Sequence, residues 1–150
     1  MPASTSQVST NNSCHTKPIF PMKLTELKTF EDACRVESID PDTAISNVFT
    51  TMDTPLKAPL IALLKLLIIA AAANRLANDG KAWVPDWSDY DQIKYTPWFD
   101  MAGSSGFQFY DCDLWGSASD VSSRLCFISS ETGEYVAKTF IKLYKEYFTM

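Results

Sequence analysis

The segment DTPLKAPLIALLKLLIIAAAANRLANDG, residues 53–80, constrains the fold more than any other part of the chain. Its apolar run from Pro59 to Ala73 covers 15 residues, has no polar side, and is interrupted only by Lys65. A membrane span needs roughly 20 uninterrupted apolar residues, so both the length and the central charge argue against one. A helix that is apolar all round must instead be wrapped by other elements. That makes it a central core helix, beginning near Pro59 and stopped by Asn78, Asp79 and Gly80. Lys65 reads as a lysine whose stem lies along apolar surface while its ammonium reaches water, rather than as a buried reactive amine.

The rest of the chain has the material to wrap such a helix. Its 150 residues fit one domain, and 46% hydrophobic with 13% aromatic residues suffices for a core. Thirteen basic against 18 acidic residues give a net charge of -5, which disfavours a general grip on nucleic-acid phosphates. Cys14, Cys34, Cys112 and Cys126 form no CxxC pair, and no secretory leader pattern opens the chain, so free thiols in a reducing cytosol are expected. Residues 1–22, rich in Ser, Thr and Asn, hold too little apolar surface to offset the entropy of ordering them. They read as a disordered tail ahead of a single α+β domain over 23–150. The one histidine, His15, lies in this tail beside Cys14 and reads as a solvated side chain rather than a metal ligand.

Two short helices precede the core helix. In TFEDACRVES, Thr29 is placed to cap, Glu31 and Asp32 sit where the helix dipole favours acids, and Phe30, Ala33, Cys34 and Val36 share a side. In SIDPDTAISNVF, Asp40 caps, Pro41 takes the first helical position, and Ala44, Ile45, Val48 and Phe49 recur at helical spacing. After Gly80, KAWVPDWSDYDQIKYTPWFD carries three of the four tryptophans together with Pro85 and Pro97, and reads as an ordered aromatic loop. GFQFYDCDLW and VSSRLCFIS then alternate with period two, as an antiparallel hairpin turned by GSASD. Alternation places Phe107, Phe109, Asp111, Asp113 and Trp115 on one face. With a symmetric turn Cys112 faces Arg124, and a slip of two residues would pair Cys112 with Cys126, a disulfide that a reducing compartment disfavours. Finally, Ser129 or Ser130 caps a helix to Phe148. Val136, Phe140, Leu143 and Tyr147 form its core stripe, and Lys138, Lys142 and Lys145 its solvated face. The expected architecture is thus α+β, a helical N-terminal half packed on a small antiparallel sheet with a C-terminal helix.

The segments TFEDACRVESIDPDTA, WVPDW, KYTPWF, SSGFQF, SSRLCF and GEYVAKTFIKLYKEYF together resemble a family of small proteins encoded by Bacteroides-type phages and prophages. The likeness runs from about Leu27 to Phe148. The family pattern is W-x-P-D-W, K-Y-x-P-W-F and V-G-S-R-L-C-F-K-S followed by a helix with A-E-Y-A-G-K-Q-F. Here VSSRLCFIS and GEYVAKTF depart from it, with Ile128 in place of the lysine after Phe127. The resemblance implies an origin in mobile elements and carries no reaction with it.

Catalytic chemistry has little to work with. Histidine-based acid–base or nucleophilic catalysis would need a histidine in the folded body, and no phosphate loop or zinc ligand set is present. What remains for an enzyme is a carboxylate site, with Asp86, Asp89 and Asp91 in DWSDYD, or Asp111 and Asp113 holding a divalent cation for hydrolysis. A binding module requires no missing residue. Trp83, Trp87 and Trp115 offer flat stacking surfaces, and Arg124 and Lys138 offer positive charge. Of the remaining aromatics, Trp98, Phe99 and Phe107 are expected in the core. Two kinds of ligand fit: a host or phage protein, or a small anion such as a nucleotide signal, which Lys94 would help to hold. A virion structural or accessory role is a further alternative, and no cofactor is implied.

Overall fold

A computed structural model describes residues 22–49, 54–103, 106–117 and 124–149. Five helices and a two-stranded antiparallel sheet form there, in the order α1 (Phe30–Glu37), α2 (Pro41–Phe49), α3 (Lys57–Ala77), β1 (Lys94–Gly103), β2 (Gly106–Trp115), α4 (Ser130–Thr139) and α5 (Ile141–Phe148). The protein is therefore α+β, with helices packed on the hairpin. Of the tail expected over residues 1–22, residues 1–21 lie outside the described residues, while Met22, assigned to the tail, packs against the core.

The helix ends follow the caps written in the sequence. Thr29 Oγ1 accepts from the Asp32 amide at 3.1 Å while Asp32 Oδ2 accepts from the Thr29 amide at 2.9 Å, a reciprocal box that starts α1. At the far end of α3, Asp79 (φ 51°) and Gly80 (φ 79°) turn left-handed and the Gly80 amide returns to the Arg75 carbonyl at 2.9 Å. Arg75 then grips Glu37 through two nitrogens, at 2.7 and 3.0 Å, and joins the end of α1 to the end of α3.

α3 runs 21 residues, longer than its apolar run, and by length and composition alone it could cross a membrane. Ala62, Leu66, Ile69, Ala70, Ala72 and Ala73 are buried along it, in one cluster with Leu27, Phe30 and Ala33 before it and Phe127, Val136 and Tyr144 after it, except that Ala62 stands outside the cluster. Small residues on the later turns let neighbouring elements approach closely. Lys65 is half-buried, its Nζ 5.4 Å from the Phe30 ring centre.

The hairpin is real, but its strands differ from those the sequence suggests. KYTPWFDMAG, expected as loop, is β1 and pairs antiparallel with β2, and Cys112 lies opposite Pro97 rather than Arg124. VSSRLCFIS supplies no strand among its described residues, 124–129: residues 118–123 lie outside the described residues, and Phe127 makes a single two-bond bridge to Tyr95, at 3.0 and 2.8 Å. The proline that argued against a strand at Pro97 is tolerated for a geometric reason. Both Tyr95 bonds point to Phe127, away from β2, so by alternation the nitrogen of Pro97 also points away from β2 and no ladder bond is lost.

Where a third strand would continue, a side chain acts instead. Asn74 of α3 is buried; its Nδ2 donates to the Cys126 carbonyl at 2.9 Å and its Oδ1 accepts from the Ile128 amide at 2.9 Å. The Cys126–Ile128 backbone is thus held on one side by the Asn74 amide and on the other by Tyr95. A second difference concerns the C-terminal helix, which breaks at Phe140 (φ -109°, ψ 27°) into α4 and α5. Thr139, Phe140 and Ile141 are weak helix formers in succession, and the break turns Tyr144 rather than Tyr147 into the fully buried position.

Two expected outcomes follow from this packing. Asn74→Ala removes both of these side-chain-to-backbone hydrogen bonds and should lower the unfolding free energy by about 2–4 kcal/mol in urea titrations. Gly133→Ala, which in an ordinary helix would add stability, builds a Cβ 3.0 Å from Cys112 Sγ and 3.3 Å from the Phe127 ring. It should destabilise by about 1–2 kcal/mol, and Cys112→Ala in the same chain should recover much of that loss.

Candidate functional site

The hairpin has an inner and an outer face, and a bulge decides which residues belong to each. Trp98 pairs with Asp111 and Phe99 with Phe109, so Tyr110 is an extra residue on β2. Before it, Phe107 and Phe109 point inward. After it, Cys112 points inward, and Asp111, Asp113 and Trp115 pair with the outer residues Trp98, Thr96 and Lys94. Simple alternation put Asp111 and Asp113 on the face of Phe107 and Phe109, and the bulge moves them to the other.

The inner face is core. The Phe99 ring stacks on Phe107 at 5.1 Å, meets Phe109 edge-on at 6.3 Å and lies 4.5 Å from Tyr144. Cys112 Sγ sits 3.7 Å from the Ser130 carbonyl. Burial pushes the thiols of Cys34, Cys112 and Cys126 up to about 11, and that of the Tyr144 phenol higher still. Cys112 keeps a free thiol, so the disulfide with Cys126 that a slipped register would allow is not formed.

On the outer face, the end near Lys94 is closed. Lys94 is wholly buried, donates to the carbonyls of Asp89 at 2.9 Å and Gly116 at 3.1 Å, and lies 5.3 Å under the Trp87 ring. It ties the 81–93 loop to the end of β2 and has been drawn inside rather than left for an anion. The loop acids serve the same loop. Asp86 accepts from the amide and hydroxyl of Ser88 at 2.9 and 2.6 Å, bonds that hold its carboxyl below the usual range, and Asp89 accepts from the Asp91 amide at 2.9 Å. Trp87 and Trp115 thus come together around Lys94, and the indole nitrogen of Trp115 is buried without a hydrogen-bond partner among the described residues. Trp83 is half-buried in the loop, and Arg124 is exposed at the start of the last described segment.

Lys138 is elsewhere. It stands on α4, on the inner side of the hairpin, paired with Glu134 and 5.3 Å from the Phe109 ring. The structure therefore separates it from Trp87 and Trp115. Asp111 and Asp113 accept, through Oδ1, from the amides of Cys112 and Leu114 respectively, each at 2.8 Å. Among the described residues no group of three or more His, Cys, Asp or Glu is gathered for a metal ion.

The open end of the outer face holds residues that the sequence reading assigned elsewhere or passed over. Trp98, expected in the core, is 50% exposed, and Tyr110, beside it at the bulge, is 72% exposed. Tyr90 and Val84 of the loop and Met101 of β1 are exposed as well, away from this pair in the register, the Tyr90 carbonyl lying beside Gly116 at the closed end. In KYTPWFD, period-two alternation does signal that Trp98 and Phe99 point to opposite faces, once the segment is taken as a strand. Between Ala82 and Gly116 stand six aspartates and one lysine, so this half is strongly negative and its single cation is buried.

No protein-family model, no curated protein and no solved structure matches this chain.

The thiol burial makes a pH prediction. The native state holds these protons up to about pH 11, whereas an unfolded thiol releases its proton near 9.0. Between those values the native state binds more protons, so stability should fall as pH rises from about 9 to about 11. Chemical denaturation across that interval checks it, and Cys34→Ala with Cys126→Ala should flatten the slope.

Proposed function

We propose that this chain is a binding module, acting in a bacterial cytosol, whose working surface is the open outer face of the β1–β2 hairpin and whose partner is a protein with a basic contact surface. The observation that carries this reading is the exposed pair Trp98 and Tyr110 on adjacent strands, bordered by Asp100 and Asp111. Large flat side chains left in water on a rigid strand pair are the usual anchors of protein recognition. The surrounding aspartates favour a lysine- or arginine-bearing partner and disfavour nucleic acid. The likeness to phage and prophage proteins supports a host or phage protein as that partner.

Sequestration of a small anion such as a nucleotide has less support. Of the cations it would use, Lys94 is buried on two carbonyls and Lys138 is paired with Glu134 on the other side of the hairpin, which leaves Arg124. A divalent-metal hydrolase has less still, because the carboxylates of Asp111 and Asp113 already serve their own strand.

A photo-crosslinking residue at Tyr110, with a second at Lys142 as control, tests the reading in lysate of the protein's own host. Expected is one stoichiometric protein adduct specific to position 110, reduced about thirtyfold in apparent affinity by Trp98→Ala and weakened by raised salt. Identical adducts at the two positions, or a nucleotide released on denaturing the purified protein, would refute it. Trp98→Ala should leave the melting temperature within about 2 °C, since the ring is half in solvent.

A further inference from the structure

Both edges of a two-stranded sheet are open to pairing with another chain unless something closes them, and here the two are closed by different means. On the outer edge of β1, Tyr95 is occupied by Phe127 and Pro97 has no amide hydrogen to offer. Among the described residues no strand pairs with the outer edge of β2.

The alternation that spares Pro97 also fixes this edge. Because both Tyr95 bonds point away from β2, its pair with Leu114 is a non-hydrogen-bonded one, and so is the pair of Pro97 with Cys112. The amides of Leu114 and Cys112 therefore point outward from the sheet, where an added strand would take them. They are the two amides that Asp113 and Asp111 occupy with their own carboxylates, at 2.8 Å each. An amide already holding a charged acceptor has to give up a strong bond before it can join a ladder.

We infer that the outer edge of β2 is a latent strand-addition site, that Asp111 and Asp113 are its latch, and that the occupant they exclude is a second copy of this chain. A second copy fits because antiparallel pairing of an edge with itself about a two-fold axis needs no other sequence. The strand FQFYDCDLW is aromatic and free of proline, a composition that pairs readily when its edge is bare. The latch acts twice against a copy: each carboxylate fills an amide, and across the two-fold axis it brings like charges together. This role does not rest on what binds the Trp98–Tyr110 face, although Asp111 borders that face as well.

The test uses the whole chain in three forms: native, Asp111→Ala with Asp113→Ala, and Asp111→Asn with Asp113→Asn. Asparagine keeps an oxygen acceptor for the amide and removes the charge. Amide exchange at Cys112 and Leu114, read by NMR at low concentration, should be about tenfold faster in the alanine pair than in the native chain, with the asparagine pair close to native. In sedimentation velocity the alanine pair should associate more strongly than the native chain, with exchange at the same two amides slowing again as concentration rises. An alanine pair with freed amides and native sedimentation would overturn the inference. So would native amides that exchange as fast as the alanine pair's, a result that stands even if the alanine variant folds poorly. Association of the asparagine pair equal to that of the alanine pair would overturn the hydrogen-bonded latch.

Discussion

The rest of the structure depends on the buried amide of Asn74. It is the one buried polar side chain of α3, and it meets the backbone of Cys126 and Ile128 with one donor and one acceptor. A backbone amide and carbonyl buried against α3 would each cost about 1–3 kcal/mol if left unpaired, so the segment before α4 has one favourable seat. With that segment seated, Phe127 is presented to Tyr95, the bridge fixes β1, and β1 fixes the hairpin. The phenol of Tyr135 adds a tie from α4 back to the Leu27 carbonyl at 2.9 Å, which closes the N-terminal elements over the same core.

Packing of the hairpin on α4 explains how a small sheet can be apolar on one side and exposed on the other. Gly133 lets Cys112 and Phe127 approach the helix as closely as they do, since any Cβ there would meet both. The Phe99, Phe107, Phe109, Tyr144 and Phe148 rings then form a continuous aromatic layer. The bulge at Tyr110 is what allows Phe109 and Cys112 both to face this layer although an odd step separates them. Its consequence on the outer side is a tyrosine and an aspartate together opposite Trp98. The exposed aromatic pair and the core are thus set by the same irregularity.

Charge is distributed to match. The hairpin and its loop are acidic, their single lysine is consumed internally, and Lys138 of α4 lies on the inner side of the hairpin. An acidic face with exposed rings, beside sheet edges occupied at Tyr95, Cys112 and Leu114 and lacking an amide hydrogen at Pro97, would direct contact to its side chains rather than to its backbone. That is a surface suited to a discrete partner and resistant to indiscriminate strand pairing.

Caps, the core segment and the presence of the helices were determined by sequence alone, though not the break of the last one at Phe140. Thr29, the Asn78–Gly80 stop and Ser129 act within a few residues of their own position, and apolar periodicity needs no knowledge of the rest of the chain. The α+β class and the presence of an antiparallel hairpin were readable for the same reason. The choice of strands was not, because Pro97 disqualifies a strand until one knows that its nitrogen faces away from β2, and VSSRLCFIS qualifies as one until Asn74 takes its backbone groups. The candidate site was readable only in its composition. Trp87 and Trp115 do meet, around Lys94, but Lys138 lies across the hairpin, Trp98 is in water, and Asp111 and Asp113 change face. Those outcomes hang on a single extra residue in β2 and on contacts between positions some 50 apart in the chain, and only the tertiary structure could decide them.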